Sequence, residues 1–197
     1  MIHLVLGKQG SGKTLYCVSE CKKYYEKGFK IYSNVHLKFP YEKINYMDII
    51  NCKYEKAVIL IDEAHQLLSS RNSMSSVSRQ ICDSFLSMLR KKKIILYVTT
   101  QTSRKIDVRI RDEVSYVYVC SKFVYVNKTW IEYYQDLNKK VPCILSITKI
   151  DMFSQNESRI SLIANPYYKY YDTHEIILIE GLEDANKQHK RHKSKSD

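Results

Sequence analysis

Three short stretches carry residue types whose spacing could do chemistry. The first is Gly7-Lys8-Gln9-Gly10-Ser11-Gly12-Lys13-Thr14, which satisfies G-x-x-x-x-G-K-[ST] at every fixed position. Glycines at Gly7, Gly10 and Gly12 let the backbone curl into a concave nest without Cβ clashes. The amide N–H groups of this stretch, that of Ser11 included, can then converge on phosphate oxygens in front of a helix N-terminus. Lys13 can reach the β and γ phosphates as a point charge, and the Thr14 hydroxyl can coordinate Mg²⁺.

The second stretch is Val58-Ile-Leu-Ile61 followed by Asp62-Glu63. A nucleoside triphosphatase needs an acid at the end of a neighbouring strand to hold the metal, directly or through water, and Asp62 fits. Glu63 can accept a proton from the attacking water or orient it. Two adjacent carboxylates after a buried strand make poor core residues, because an unpaired buried charge is costly. The third stretch is Thr100-Gln101, closing the apolar run that begins at Ile94. An amide both donates and accepts, so Gln101 can sense a phosphate or position water. Beyond it, RKIDVRIRDEV contains Arg104, Arg109 and Arg111, candidates for an arginine finger that stabilises charge in the transition state. For each arginine taken singly, a plain surface cation on a loop remains the alternative.

Elements must hold these residues. Ile2 to Leu6 is a short apolar run closed by Gly7 and predicts a buried strand; Leu15 to Lys27 has helical composition and ends before Gly28. Phe29 to Val35, Ala57 to Ile61, Ile94 to Thr99 and Val114 to Cys120 predict further strands. Val77 to Arg90 has the apolar spacing of an amphipathic helix, and Lys38 to Lys56 is irregular. Strands alternating with helices indicate an α/β fold, a mostly parallel sheet flanked by helices. After residue 121 the pattern changes. Phe123 to Val126, Thr129 to Tyr134 and Val141 to Thr148 suggest an antiparallel hairpin extension, and Tyr167 to Ile179 reads as strand or loop. The expected organisation is one domain over 1–183, with a core to about 121, a β-rich extension over 122–183 and a basic, disordered tail over 184–197.

Bulk composition narrows the partners. The 197 residues hold 32 Lys and Arg against 21 Asp and Glu, a net charge of +11. The last eleven residues, KQHKRHKSKSD, carry five of those cations, so the body is basic as well. Such a balance suits nucleic acid or an anionic membrane surface. The six cysteines form no C-x-x-C pair, which argues against zinc or redox motifs and for reduced, buried thiols. No run of about 18 apolar residues predicts a transmembrane helix, and Met1 to Leu6 lacks the marks of a signal peptide. A cytoplasmic protein is expected, host-cytoplasmic if viral, and able to sit peripherally on a membrane or virion.

Asp62-Glu63-Ala64-His65 also spells the motif that names the DEAH helicases. Those use two tandem RecA-like domains, and a second set of motifs is not found here. The match therefore rests on Asp62 and Glu63, with His65 incidental. The order GKQGSGKT, VILIDEAH, a helix ending in LRKKK, IILYVTTQ and IDVRIRDEV instead resembles the zonular occludens toxin-like (Zot-like) ATPases of filamentous phage assembly. These lie within the wider FtsK–HerA group of DNA-pumping ATPases, which includes viral genome-packaging enzymes. The resemblance covers residues 1 to 120, and YYKYYDTHE, from Tyr167 to Glu175, extends it. It implies a RecA-like P-loop NTPase core, ATP with Mg²⁺, a homo-oligomeric hexameric ring, and hydrolysis coupled to movement of DNA, double-stranded and bound without sequence specificity. By motif match Gly12, Lys13 and Thr14 are the Walker A residues, Asp62 and Glu63 the Walker B pair, and Gln101 the sensor. Phage-assembly members carry a transmembrane helix after the ATPase domain. Its absence here favours genome packaging or DNA transfer over extrusion with a membrane-protein partner.

Two other enzyme classes compete. Thr148-Lys149-Ile150-Asp151 matches the [NT]-K-x-D guanine-reading motif of GTPases, although His65 stands where their D-x-x-G glycine would be. A small-molecule P-loop kinase would need an arginine-rich lid, for which only Arg71 and Arg79 offer themselves. Among the seventeen tyrosines, Tyr116 and Tyr118 are expected to pack on one sheet face. Tyr167, Tyr168, Tyr170 and Tyr171 are expected to pack at a sheet edge rather than stack on bases.

Overall fold

The structure is a computed structural model that describes residues 1–45, 48–49, 51, 53–66, 68, 85–121 and 143–172. The expected helix over 77–90 falls mostly outside them, as do the strands expected at 123–126 and 129–134, Arg71, Arg79 and the tail.

Eight strands form one sheet in the order β3-β2-β4-β5-β1-β6-β7-β8. They are β1 (Ile2–Leu6), β2 (Lys30–Ser33), β3 (Glu42–Lys43), β4 (Ala57–Ile61), β5 (Ile95–Thr100), β6 (Val114–Cys120), β7 (Ile144–Asp151) and β8 (Glu157–Ile163). The pairs from β3 to β6 are all parallel, and β7 and β8 add an antiparallel end. This is the expected α/β P-loop fold with its antiparallel extension. The apolar runs of β1, β4 and β5 follow from burial on both faces. In β4, Ala57, Ile59 and Ile61 join one core with Leu96, Val98, Phe85 and Ile110. Val58 and Leu60 join the other, with Tyr97, Leu15, Val18 and Cys21. Helix α1 (Lys13–Glu26) covers that second face through Leu15, Tyr16, Cys17, Val18 and Cys21, all buried. Each such apolar side chain contributes about 1.5–3 kcal/mol of burial.

Tyr118 is buried with its ring 5.0 Å from that of Tyr16, and Tyr116 lies on the same face, so the expected packing of these tyrosines holds. Two elements differ from expectation. β8 is half polar, ESRISLI, and lies at the sheet edge with only Ile160 and Leu162 turned to the core, so it carries no continuous apolar signal. Asn165–Tyr170 is a 3-10 helix rather than a strand or loop, with Pro166 at its start fixing φ. It packs on the outside of α1, and the following Tyr171 bridges to Leu37. Among the described residues, no helix is long and apolar enough to cross a membrane.

Candidate active site

The sheet register brings the three motif stretches to one edge. Leu6 pairs with Thr100 and Ile61 with Val98, so Gly7, Asp62 and Gln101 all follow strand ends on that edge. Asp62 is not on the strand next to the phosphate loop, because β5 lies between β1 and β4. The gap is closed by α1.

Gly7, Gly10 and Gly12 all adopt positive φ, which bends the loop back under the start of α1. Gly12 is the N-cap, left-handed at φ 86°, with no side-chain cap on the helix. The first amides of α1 are therefore available to an anion. Lys13 is buried, and its Nζ donates to Lys8 O at 3.1 Å, holding the ammonium across the loop. Among the described residues the buried Ser11 Oγ has no hydrogen-bond partner, an orphaned polar atom in a nest shaped for phosphate oxygens.

One residue into the helix, Thr14 Oγ1 donates to Asp62 Oδ2 at 2.9 Å. Thr99, on β5, donates to Asp62 Oδ1 and accepts from the Glu63 N–H at 2.9 Å. Asn34, just past β2, accepts from Asp62 N–H at 2.8 Å and donates to Asp62 O at 2.9 Å. Burial pushes the Asp62 carboxyl above the ordinary carboxylate range; the Thr99 and Thr14 hydroxyls pull it back, and the Glu63 charge raises it. A buried carboxylate beside a hydroxyl is an oxygen donor set suited to a hard cation such as Mg²⁺. Glu63 is left-handed at φ 48°, a conformation costly for a non-glycine residue. Its Oε2 lies 3.2 Å from His65 Nδ1, an ion-pair separation outside hydrogen-bond geometry.

Thr99 and Asn34 were not singled out from the sequence. The signal was slight: Thr99 opens the polar run Thr99-Thr100-Gln101, and Asn34 follows Ser33 at the end of β2.

Gln101 is exposed, immediately past β5. The arginines are not equivalent. Arg104 is exposed in the 3-10 turn Ser103–Lys105. Arg109, in α2 (Val108–Asp112), forks onto the buried Asp107, with Nε to Oδ1 at 3.0 Å and Nη2 to Oδ2 at 2.9 Å. Asp107 caps the same helix and is held below its ordinary pKa, chiefly by that hydrogen bond. Arg111 is half-buried, and its Nε has no hydrogen-bond partner among the described residues.

The guanine-reading match has a different position. β7 runs antiparallel to β6, so Asp151 pairs with Tyr116, at the end of the sheet away from the phosphate loop. Asp151 Oδ1 accepts from Phe153 and Ser154 N–H, and Lys149 lies over the Tyr116 ring at 4.2 Å. These residues make a turn, not a base pocket.

A glycine nest at a helix N-terminus, with a threonine-bound acid beyond the next strand, defines a P-loop nucleoside triphosphatase. The chain belongs to the ATPase family associated with various cellular activities (AAA), whose sequence profile matches residues 3–121. It is an ATPase of P-loop type. No curated protein sequence matches it significantly. Among solved structures, the N-terminal domain of zonular occludens toxin from Neisseria meningitidis is similar in fold, at 18% identity and TM-score 0.58 over 87% of this chain and 98% of that one. The genome packaging NTPase B204 of Sulfolobus turreted icosahedral virus 2, bound to ATP-gammaS, is similar at 14% identity and TM-score 0.53 over 80% and 95%. The ATPase domain of G40P gives 11% and 0.52 over 88% and 84%. These likenesses are of fold, and they agree with the Zot-like and packaging resemblance drawn from the motifs.

Proposed function

We propose that the protein is a Mg²⁺-dependent ATPase that moves double-stranded DNA, as a viral genome-packaging or DNA-transfer motor working in a homo-oligomeric ring. The observation that carries the hydrolytic part is the chain of contacts from Thr14 through Asp62 and Thr99 to Glu63. In this reading the amides of Gly10 to Thr14 bind the β and γ phosphates of ATP, and Lys13 leaves Lys8 O to neutralise them. Thr14 and Asp62 would hold Mg²⁺, which when bound polarises phosphate oxygens and offsets their charge. Asn34 fixes the Asp62 backbone, and Thr99 fixes the turn into Glu63. The Glu63 carboxylate takes the proton from the attacking water, and Gln101 orients that water or reads the γ-phosphate. Arg104 and Arg111 are the candidates for a finger reaching a neighbouring subunit. Arg109 is committed to Asp107, and releasing it would uncover a buried carboxylate.

The DNA part is supported by the +11 charge and by fold likeness to a genome packaging NTPase. Phage extrusion with a membrane-protein partner is the second reading, favoured by the likeness to zonular occludens toxin. Co-fractionation with membranes would select it.

The test is ATP turnover with and without duplex DNA, together with nucleotide binding. Lys13→Ala should lose both. Glu63→Gln should keep ATP binding and lose about 10²–10⁴-fold in turnover, the usual worth of a general base. If Glu63→Gln turns over ATP like the wild type, Glu63 is not the base. A wild-type protein whose turnover ignores DNA, and which does not bind it at low salt, refutes the motor.

A further inference from the structure

The chain ends two helical segments with the same hydrogen-bond pattern but different residues. At the end of α1, Phe29 N–H donates to Tyr24 O at 3.1 Å and Gly28 N–H to Tyr25 O at 2.9 Å. Gly28, at φ 79°, occupies the left-handed position that this cap reserves for glycine. The helical turn before β5 repeats the pattern, with Ile94 N–H to Leu89 O at 2.9 Å and Lys93 N–H to Arg90 O at 3.2 Å. There the left-handed residue is Lys93, at φ 52°. A second lysine, Lys56, is left-handed at φ 45° just before β4, and its N–H donates to Lys92 O at 2.9 Å. Among the described residues four that are not glycine are left-handed, and two of them are these lysines at the starts of adjacent strands; the others are Glu63 and Gln155. Strain of this kind persists where the side chain has a use.

The surroundings suggest the use. Lys30 opens β2 opposite Ala57, the residue after Lys56. Arg90 and Lys91 are exposed in the turn that leads to Lys93, and Lys92 is half-exposed there. The Met1 ammonium donates to Ile94 O at 3.0 Å. The acids at this end are Glu55, beside Lys56; Asp112 and Glu113, just before β6, the latter sharing a cavity of about 250 Å³ with Met1 and Arg90; Glu26, paired with Lys22 at the end of α1; and Asp151, which lies beyond β1 and β6 from Lys93. At the starts of β2, β4 and β5, Lys30, Lys56, Arg90, Lys91, Lys92 and Lys93 therefore outnumber the acids.

We propose that this strand-start edge, centred on Lys56 and Lys93, is a docking surface for the phosphate backbone of nucleic acid. The proposal rests on the DNA-motor reading and gives that partner a place. Lysine ammonium groups on this edge would contact phosphates as point charges, which suits binding without sequence preference.

The experiment is equilibrium binding of a fluorescent mixed-sequence 30-bp duplex to the full chain over a series of salt concentrations. The test variant is Lys56→Gly with Lys93→Gly. Glycine relieves the left-handed strain, so this variant should melt a few degrees higher than the wild type. Its affinity should fall about tenfold per lysine at 0.1 M salt, and the slope of log K against log salt should flatten by about 0.9 per lysine. Basal ATP turnover should not change. Lys38→Gln with Arg159→Gln removes the same charge elsewhere and should leave most of the affinity. If the wild type does not bind the duplex, the motor reading fails and the surface with it. If the wild type binds but the glycine variant binds equally, or the control loses as much, the surface is overturned and the motor reading stands. A glycine variant that keeps DNA but loses binding to phosphatidylserine-containing vesicles also overturns it, in favour of a lipid headgroup.

Discussion

Replacing Gly12 with alanine should expose a contact between the phosphate loop and the antiparallel end of the sheet. Gly12 is left-handed at φ 86°, and a Cβ placed there would lie 2.9 and 3.0 Å from the two δ-methyls of Leu145 on β7. The backbone part costs about 1–2 kcal/mol for an L-residue, less a few tenths regained because alanine restricts the unfolded chain. The overlap costs about 1–3 kcal/mol more, since Leu145 is 0% exposed and its tip has little room to retreat. Gly12→Ala should therefore destabilise by about 2–5 kcal/mol in urea unfolding, as the sum of those two effects. Leu145→Ala alone should cost about 2–5 kcal/mol through its cavity. In the double variant the new methyl meets a cavity rather than a leucine, so only the backbone part of the Gly12→Ala cost should remain. The two changes should then be non-additive by about 1–3 kcal/mol. If the double variant equals the sum of the singles within about 0.5 kcal/mol, Leu145 does not rest on the phosphate loop.

Two carboxylates of opposite electrostatic character give the remaining predictions. Burial raises the Asp62 carboxyl, so ligand-free Asp62 favours the folded state below its ordinary pKa, and that contribution is lost as pH rises through the raised value. Asp62→Asn should therefore melt higher than wild type near neutral pH without nucleotide, yet lose the rise that Mg²⁺-ATP produces; scanning fluorimetry showing it less stable near neutral pH contradicts this. Asp107 is depressed by Arg109, so its contribution is present above the ordinary carboxylate pKa and is lost as pH falls through the lowered value. Arg109→Ala should cost about 1–3 kcal/mol at neutral pH, the loss of charged hydrogen bonds to a buried acid, and less below about pH 4; an equal cost at pH 3 and pH 7 would count against the clamp.

How much was legible in the sequence differs between residues. Lys13 and Thr14 could be placed because a phosphate nest is built from consecutive residues, and its glycines mark where the chain must bend. Asp62 and Glu63 could be placed because a continuous apolar run ends in two charges. β8 was not legible, since an edge strand with one wet face needs few apolar residues. The separate fates of Arg104, Arg109 and Arg111 were not legible either. Which cation meets Asp107 depends on how α2 begins, and three arginines within eight positions look alike to composition.

The sequence by itself marked the phosphate-loop motif and the carboxylate pair and determined the parallel α/β class, all written in neighbouring residues and in strand-length apolar runs. Only the tertiary structure decided that β5 lies between β1 and β4, so that Thr99 reaches Asp62 and Thr14 spans to it from the helix above. It also decided that Asn34 grips the Asp62 backbone, that Leu145 closes on Gly12, and that Lys56 and Lys93 share one edge. The physical reason is that strand order and register bring together residues tens of positions apart, and they are set by the burial of two whole sheet faces rather than by any local run of residues.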